Sequence, residues 1–151
     1  MLLTLLLWGE VQNIRFQRIN NGLVEGLTSK DSKFFHMSTL GAKNLTFRHL
    51  HFIAPAESRN TDGIHVSRSS FITIIDTIFE TGDDCVSIAD DIDTVTVKNV
   101  KCGPGHGISI GSLGKYDTEK PVKNIWVQNC TISNSDNGVR IKSWPDRFAT
   151  S

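Results

Sequence analysis

The chain has 151 residues, which is enough for one domain with a hydrophobic core and too few for two comfortable ones. Sixteen basic and sixteen acidic residues cancel, so net charge gives no reason to expect a nucleic acid or an anionic membrane as partner. The three cysteines form no C-x-x-C pair, and no run approaches the ~20 apolar residues of a membrane span. We therefore expect no metal, no other cofactor and no transmembrane segment.

The chain begins with the apolar stretch MLLTLLLWG, which has neither the basic start nor the small-residue cleavage site of a signal peptide. We interpret residues 1–10 as an atypical leader on a chain that starts part-way into a larger protein. Residues 11–151 are then a single domain.

Short β-rich segments recur through this domain in two rows, at intervals of about 22 to 31 residues. Apolar and polar residues alternate within the segments, and Asn, Gly, Asp and Ser lie between them. The first row has as its leading residues Leu23, Leu45, Ile72, Val95 and Ile125; the second has Phe35, Ile64, Val86, Ile108 and Val139. This pattern predicts an all-β fold, a parallel β-helix (solenoid) of about five coils.

Residues at the same offset in successive coils stack about 4.8 Å apart. Two positions before the second-row anchors lie Asp62, Asp84 and His106, with Asp83 beside Asp84, while GVRIK brings two cations to the same sheet one coil later. Asp62 alone could equally be a corner residue that caps a turn. A column of acids, an imidazole and cations is better explained as a site, because crowded carboxyls split their pKa values into those of an acid and a base.

Four short motifs on this column occur in a recognisable order: NTDG at 60–63, GDDC at 82–85, GHG at 105–107 and RIK at 140–142. In order and spacing they resemble those of the polygalacturonases, pectin-cleaving glycoside hydrolases, and the chain looks most like the plant-type members. The resemblance covers roughly residues 13–144. It implies a right-handed parallel β-helix, here a partial catalytic domain, and hydrolysis of α-1,4 links between galacturonates with inversion.

The resemblance also implies a role for each motif residue. Asp83 is expected to be the general acid, while Asp62 and Asp84 orient and activate the attacking water. His106 would lie near the acid and tune or share its proton. Arg140 and Lys142 would bind the substrate carboxylate, so that a neutral chain holds a polyanion through a local cationic corner.

Outside the motifs the expectations are fewer. Tyr116 lies in an inserted corner, where it either stacks on a sugar or is a solvated loop tip. Cys85 and Cys102 resemble the family's short disulfide, which fits an oxidising, extracellular or cell-wall compartment, and Cys130 is left over. Two glycosylation sequons, NLT at 44–46 and NCT at 129–131, are compatible with secretion.

The sequence leaves the activity of this chain open. Family domains are about twice as long, so we expect the front coils and later coils to be missing and the chain to be an incomplete copy. An enzyme is the leading hypothesis, with polygalacturonate (pectin) as partner and a monomer expected for the complete protein. The alternatives are a catalytically inactive pectin-binding or structural β-helix, and a related hydrolase of rhamnogalacturonan. Endo and exo action are not distinguished.

Overall fold

The computed structural model describes residues 11–144, and the leader predicted at residues 1–10 lies outside them, as do residues 145–151. The strands of the described part follow one another in sets of three, and each set forms one coil. The sets are β1 (Ile14–Gln17), β2 (Asn20–Glu25) and β3 (Thr28–Lys30); β4 (Met37–Leu40), β5 (Lys43–Arg48) and β6 (His51–Ile53); β7 (Ile64–Ser67), β8 (Ser70–Ile75) and β9 (Ile78–Glu80); β10 (Asp84–Ile88), β11 (Ile92–Lys98) and β12 (Lys101–Cys102); β13 (Gly107–Leu113), β14 (Val122–Gln128) and β15 (Thr131–Ile132); and finally β16 (Val139–Ser143). Within residues 11–144 no helix is long and apolar enough to cross a membrane.

Corresponding strands of successive coils pair in parallel and build three sheets. The first sheet has the order β1-β4-β7-β10-β13-β16, the second β14-β11-β8-β5-β2, and the third β15-β12-β9-β6-β3. Parallel neighbours need a long connection between them, and here that connection is the remainder of each coil. The predicted all-β parallel solenoid is confirmed.

The sequence predicted two rows of strands, whereas the structure has three sheets. Each segment of the first row is two strands separated by a corner, and at that corner one residue per coil has a φ between 50° and 68°: Gly26, His49, Asp76, Asn99 and Asn129. Glycine, Asn, Asp and His tolerate this left-handed backbone best. The Asn129 amide donates to the Asn99 side-chain oxygen (2.8 Å) and the Asn99 amide to Asp76 (3.0 Å), so the corner is also a polar ladder.

Two of the predicted strand anchors were wrong. Met37, not Phe35, pairs with Ile64 in the first sheet, and Gly22, not Leu23, pairs with Leu45 in the second. Leu23 is 53% exposed, because the alternation places Val24 rather than Leu23 toward the core. Phe35 precedes β4 and lies on the outside of the solenoid, where its ring packs on another coil.

The interior is filled by stacked apolar residues from all three sheets. Phe52 and Phe79 occupy successive coils of the third sheet, with parallel rings 4.8 Å apart. Cys102 follows Phe79 in register and is joined to Cys85 of the first sheet by a disulfide. For a sequence separation of 17 between the two cysteines, the chain-entropy model gives a stabilisation of about 3 kcal/mol. Cys130 is free and half-buried.

One ionisable group lies inside the front coils. His36 is fully buried, its Nδ1 is 2.8 Å from the Ser29 hydroxyl, and its ring packs edge-on against Phe52. Its Nε2 has no hydrogen-bond partner among the described residues. Burial disfavours the imidazolium and lowers the pKa of His36 from 6.5 to about 4, against a weaker opposing effect of Asp31.

This histidine makes the fold sensitive to pH. Between pH 6.5 and 4 the unfolded chain binds a proton that the folded chain does not, so stability is lost as pH falls through this window. The full effect is about 3 kcal/mol. We expect His36→Gln to remove this contribution, so that the urea unfolding free energy falls less between pH 7 and 4.5 than in the parent, while buried His65 and Asp62 keep their own contributions. His49→Gln, at an exposed ring, is the control, and an unchanged slope in His36→Gln would contradict the prediction.

Candidate active site

A cleft of about 400 Å³ runs across the outer face of the first sheet, over the coils that carry the four motifs. It contains every predicted catalytic residue and both predicted cations, but not Tyr116. Its lining consists of Phe34, Phe35, Asn60, Asp62, His65, Asp83, Asp84, Ser87, His106, Gly111, Arg140 and Lys142.

A β-bulge sets the relation between the acid motif and the histidine. The pairing of β10 with β13 shifts by one residue between Asp84 and Val86, so Asp84 lies opposite Gly107. The predicted column of Asp84 with His106 was therefore off by one residue. His106 instead faces Asp83: its backbone N–H donates to the Asp83 carbonyl (3.0 Å) and its Nδ1 lies 3.0 Å from Asp83 Oδ1.

Backbone groups fix the Asp83 carboxyl within the cleft. The Asp84 N–H donates to Oδ1 at 2.8 Å and the Asn60 N–H to Oδ2 at 3.2 Å. Oδ1 thus meets two partners, the Asp84 amide and the His106 ring. Oδ2 meets only the longer contact, so it is the less engaged of the two carboxyl oxygens.

Asp62 is nearly buried, with 6% of its surface exposed. Burial raises its pKa from 3.8 to about 7, and the neighbouring carboxylates Asp83 and Asp84 act in the same direction. Ser87 and Lys142 oppose the shift because they favour the ionised form. Asp62 is therefore poised to exchange a proton close to neutral pH.

Asp84 is the centre of an ion-pair network, although only 1% of it is exposed. Its Oδ1 accepts from the Ser109 hydroxyl (2.6 Å) and from Arg140 Nη2 (2.9 Å), and its Oδ2 accepts from Lys142 Nζ (2.8 Å). Two cations and a hydroxyl thus surround this one carboxyl. Asp62 and Asp84 thus lie close together in opposite electrostatic settings.

Two motif glycines allow the coils to approach this closely. A Cβ on Gly63 would lie 2.1 Å from the Phe79 ring and 2.6 Å from the Cys85 carbonyl oxygen. A Cβ on Gly105, whose φ is +129°, would lie 2.3 Å from the Asp83 carbonyl oxygen. These positions accept no side chain without displacing the segments that contain Asp62 and Asp83.

Known proteins resemble this chain over most of its length. The sequence profile described as glycosyl hydrolases family 28 matches residues 10–151. The chain belongs to this family. A polygalacturonase of Medicago sativa is 54% identical over 138 residues, which are 91% of this chain and 33% of that protein. The chain therefore spans about a third of the length of the curated relatives that it matches.

Solved structures of similar proteins share the fold. An endo-xylogalacturonan hydrolase from Aspergillus tubingensis superposes with a TM-score of 0.82 at 32% identity, over 89% of this chain and 37% of that one. A polygalacturonase from Erwinia carotovora superposes with a TM-score of 0.77 at 27% identity, over 87% and 35%.

Tyr116 lies outside the cleft of this family 28 chain. It is 58% exposed and lines a separate cavity of about 190 Å³ beside it. Lys115 Nζ lies 5.3 Å from the Tyr116 ring centre and 4.8 Å from that of Trp144. The Glu119 carboxylate accepts the backbone N–H groups of residues 114, 115 and 116, which fixes the loop. A sugar-stacking role for Tyr116 stays a prediction.

The motifs did not indicate His65 and Ser87, which line the cleft, or Ser109, which is fully buried and contacts Asp84 and Arg140. These three residues are register partners in the first sheet, Ser109 also pairs with Arg140, and they lie three residues after Asp62, Asp84 and His106. The period-two alternation of each strand was the available signal, since it directs these side chains to the outer face. Phe35 gave no such signal, because it lies outside any strand.

One group in the cleft has the composition of a cation site. The carboxylates of Asp83 and Asp84 and the ring of His106 place ligand atoms within 4.8 Å of one another. Asp84 is already neutralised by Arg140 and Lys142, so a metal would have to displace them. We assign no metal to this group.

Proposed function

We propose that this chain carries the catalytic centre of a polygalacturonase, which hydrolyses α-1,4 links between galacturonates in pectin with inversion of configuration. The observation that carries the proposal is the meeting of three carboxyls in one cleft. One faces a histidine, one is nearly buried, and one is held by two cations.

In the proposed reaction Asp83 donates a proton from Oδ2 to the oxygen of the leaving galacturonate, and His106 shares the resulting charge. Asp62, whose pKa of about 7 suits a general base, removes a proton from the attacking water, while Asp84 orients that water. The water oxygen bonds to the anomeric carbon as the glycosidic bond breaks, on the face opposite the leaving group.

Arg140 and Lys142 are proposed to bind the carboxylate of the substrate. Both also contact Asp84, but each keeps further N–H donors, since a guanidinium has five and an ammonium three. The polygalacturonate chain would then follow the cleft across the coils. We further propose an extracellular or cell-wall location, with which the disulfide between Cys85 and Cys102 is consistent.

Incubation with polygalacturonate tests the proposal. We expect new reducing ends, with the β-anomer released first as NMR detects it, and no release by Asp83→Asn. Binding without release would support the alternative of a pectin-binding β-helix. Release only from rhamnogalacturonan or xylogalacturonan would assign a different substrate within the family. The sizes of the products distinguish endo from exo action.

A further inference from the structure

His65 lies in the cleft but has no role in the proposed reaction. Its ring stacks on Phe35, with centroids 4.4 Å apart and planes within 15° of parallel. Phe34 also packs against Phe35, with ring centroids 3.9 Å apart and planes tilted by 32°. The stack on Phe35 fixes the plane of the His65 imidazole.

The fixed ring leads to the carboxyl that the reaction uses as its base. His65 Nδ1 lies 2.8 Å from the Ser87 hydroxyl on the adjacent strand. Ser87 and Asp62 line the same cleft, and the Ser87 hydroxyl favours the ionised form of the Asp62 carboxyl. A hydroxyl has one hydrogen, so Ser87 can donate to only one of these two neighbours.

We propose that His65 is a positioning residue that acts through Ser87: its Nδ1–H donates to the Ser87 hydroxyl, which directs the hydroxyl hydrogen toward the Asp62 carboxylate. The other tautomer would draw that hydrogen to Nδ1 and leave Asp62 without the donor. A charge-assisted bond to a carboxylate is stronger than a bond between neutral groups, and this favours the Nδ1–H form.

The charges around the pair are compatible with this arrangement. Asp83 and Asp84 raise the pKa of Asp62, and Lys142 lowers it. The charges that face His65 are those of Lys142 and Asp84. Burial, helped by Lys142 and opposed by Asp84, lowers the pKa of His65 to about 4. His65 therefore stays neutral while Asp62 titrates near 7, and even the imidazolium formed at lower pH would keep its Nδ1–H.

The inference rests on the proposed function for its importance, but its test does not need turnover. In the isotope-labelled 151-residue chain, ring nitrogen shifts should report a protonated Nδ1 in His65. The carboxyl carbon shift should give the pKa of Asp62. His65→Phe keeps the aromatic stack and removes the donor, whereas His65→Asn keeps an N–H near the position of Nδ1.

We expect His65→Phe and Ser87→Ala each to raise the pKa of Asp62 by about one unit, since one hydrogen bond to the ionised form is lost. The double variant should shift it no further, because both changes break the same chain of donors. His65→Asn should restore part of the shift. His51→Phe, a histidine of the third sheet that contacts Glu80, is the control and should leave Asp62 unchanged.

A protonated Nε2 in His65, or additive shifts in the double variant, would overturn the proposal, as would an unchanged Asp62 in both single variants. If the chain cleaves polygalacturonate, the acidic limb of kcat/KM should move upward by the same amount. If the Asp62 shifts occur without any cleavage, the positioning role stands and the proposed function fails.

Discussion

Asp83→Asn should lower kcat on polygalacturonate by roughly 10²- to 10⁴-fold and leave the affinity for oligogalacturonate nearly unchanged. The amide has the size of the carboxyl, and its one oxygen can still accept the Asp84 N–H group, while its NH2 group replaces Oδ2 and gives up the longer contact with the Asn60 N–H. What it cannot do is transfer a proton to the leaving oxygen. Steady-state rates and the binding of a short oligogalacturonate measure the two effects separately.

A substrate with a better leaving group separates this role from a loss of structure. An aryl galacturonide whose phenolate leaves without protonation should be cleaved by Asp83→Asn far closer to the parental rate. Asp62→Asn is the matched comparison: it removes the proposed base, so the aryl substrate should not rescue it. Activity of Asp83→Asn on polygalacturonate within a few-fold of the parent would remove Asp83 from the role of acid.

The two variants should also differ in their pH profiles. In kcat/KM, loss of the acid removes the basic limb, while loss of the base removes the acidic limb. With a pKa of about 7, Asp62 is protonated in much of the unliganded protein at weakly acidic pH. The acidic limb is therefore expected to be prominent in the parent and absent in Asp62→Asn.

The repeat pattern was sufficient to predict the solenoid, because a parallel β-helix imposes a regular coil length on its sequence. The third sheet escaped prediction for a physical reason. Its strands, such as Lys101–Cys102, are only two or three residues long, too short for alternation to be visible. The corners before them depend on single residues with positive φ, and Asn or His at such a point also occurs in ordinary loops.

The sequence predicted which residues lie together in the candidate site better than it predicted the contacts between them. The motifs identified Asp62, Asp83, Asp84 and His106, but the bulge that pairs His106 with Asp83 leaves no mark on residue spacing. From the sequence, Arg140 and Lys142 were predicted to bind the substrate. Their contact with Asp84 was not predicted, because Asp84 lies 56 residues before Arg140. A contact at such separation follows from stacking one coil upon the next.

That contact bears on the second large effect, the loss of substrate affinity on removal of a cation. Lys142→Met keeps the length of the side chain and removes its charge. We expect oligogalacturonate to bind about 10- to 100-fold more weakly, because one charge-assisted hydrogen bond is typically worth about 1.5–3 kcal/mol. Binding is best measured in the Asp83→Asn background, where turnover does not interfere.

Salt should distinguish a charged contact from a packing defect. At 0.1 M ionic strength the screening length is about 10 Å, so the parent should lose affinity as salt is added while Lys142→Met loses less. Lys123→Met is a suitable control, since Lys123 pairs with Asp93 on the second sheet and should affect neither affinity nor its salt dependence. Equal affinities of parent and Lys142→Met at low salt would show that this cation does not bind substrate.

The network around Asp84 allows a second explanation, in which Lys142→Met weakens binding by disturbing Asp84 rather than by losing a substrate contact. A methyl-esterified oligogalacturonate separates the two, because it has the sugar rings without the carboxylates. If Lys142 binds a substrate carboxylate, the parent should bind the ester weakly and Lys142→Met should bind it no more weakly than the parent does. If the variant also binds the ester 10- to 100-fold more weakly, the defect lies in the arrangement of Asp84, and the role of Lys142 is to hold that carboxyl.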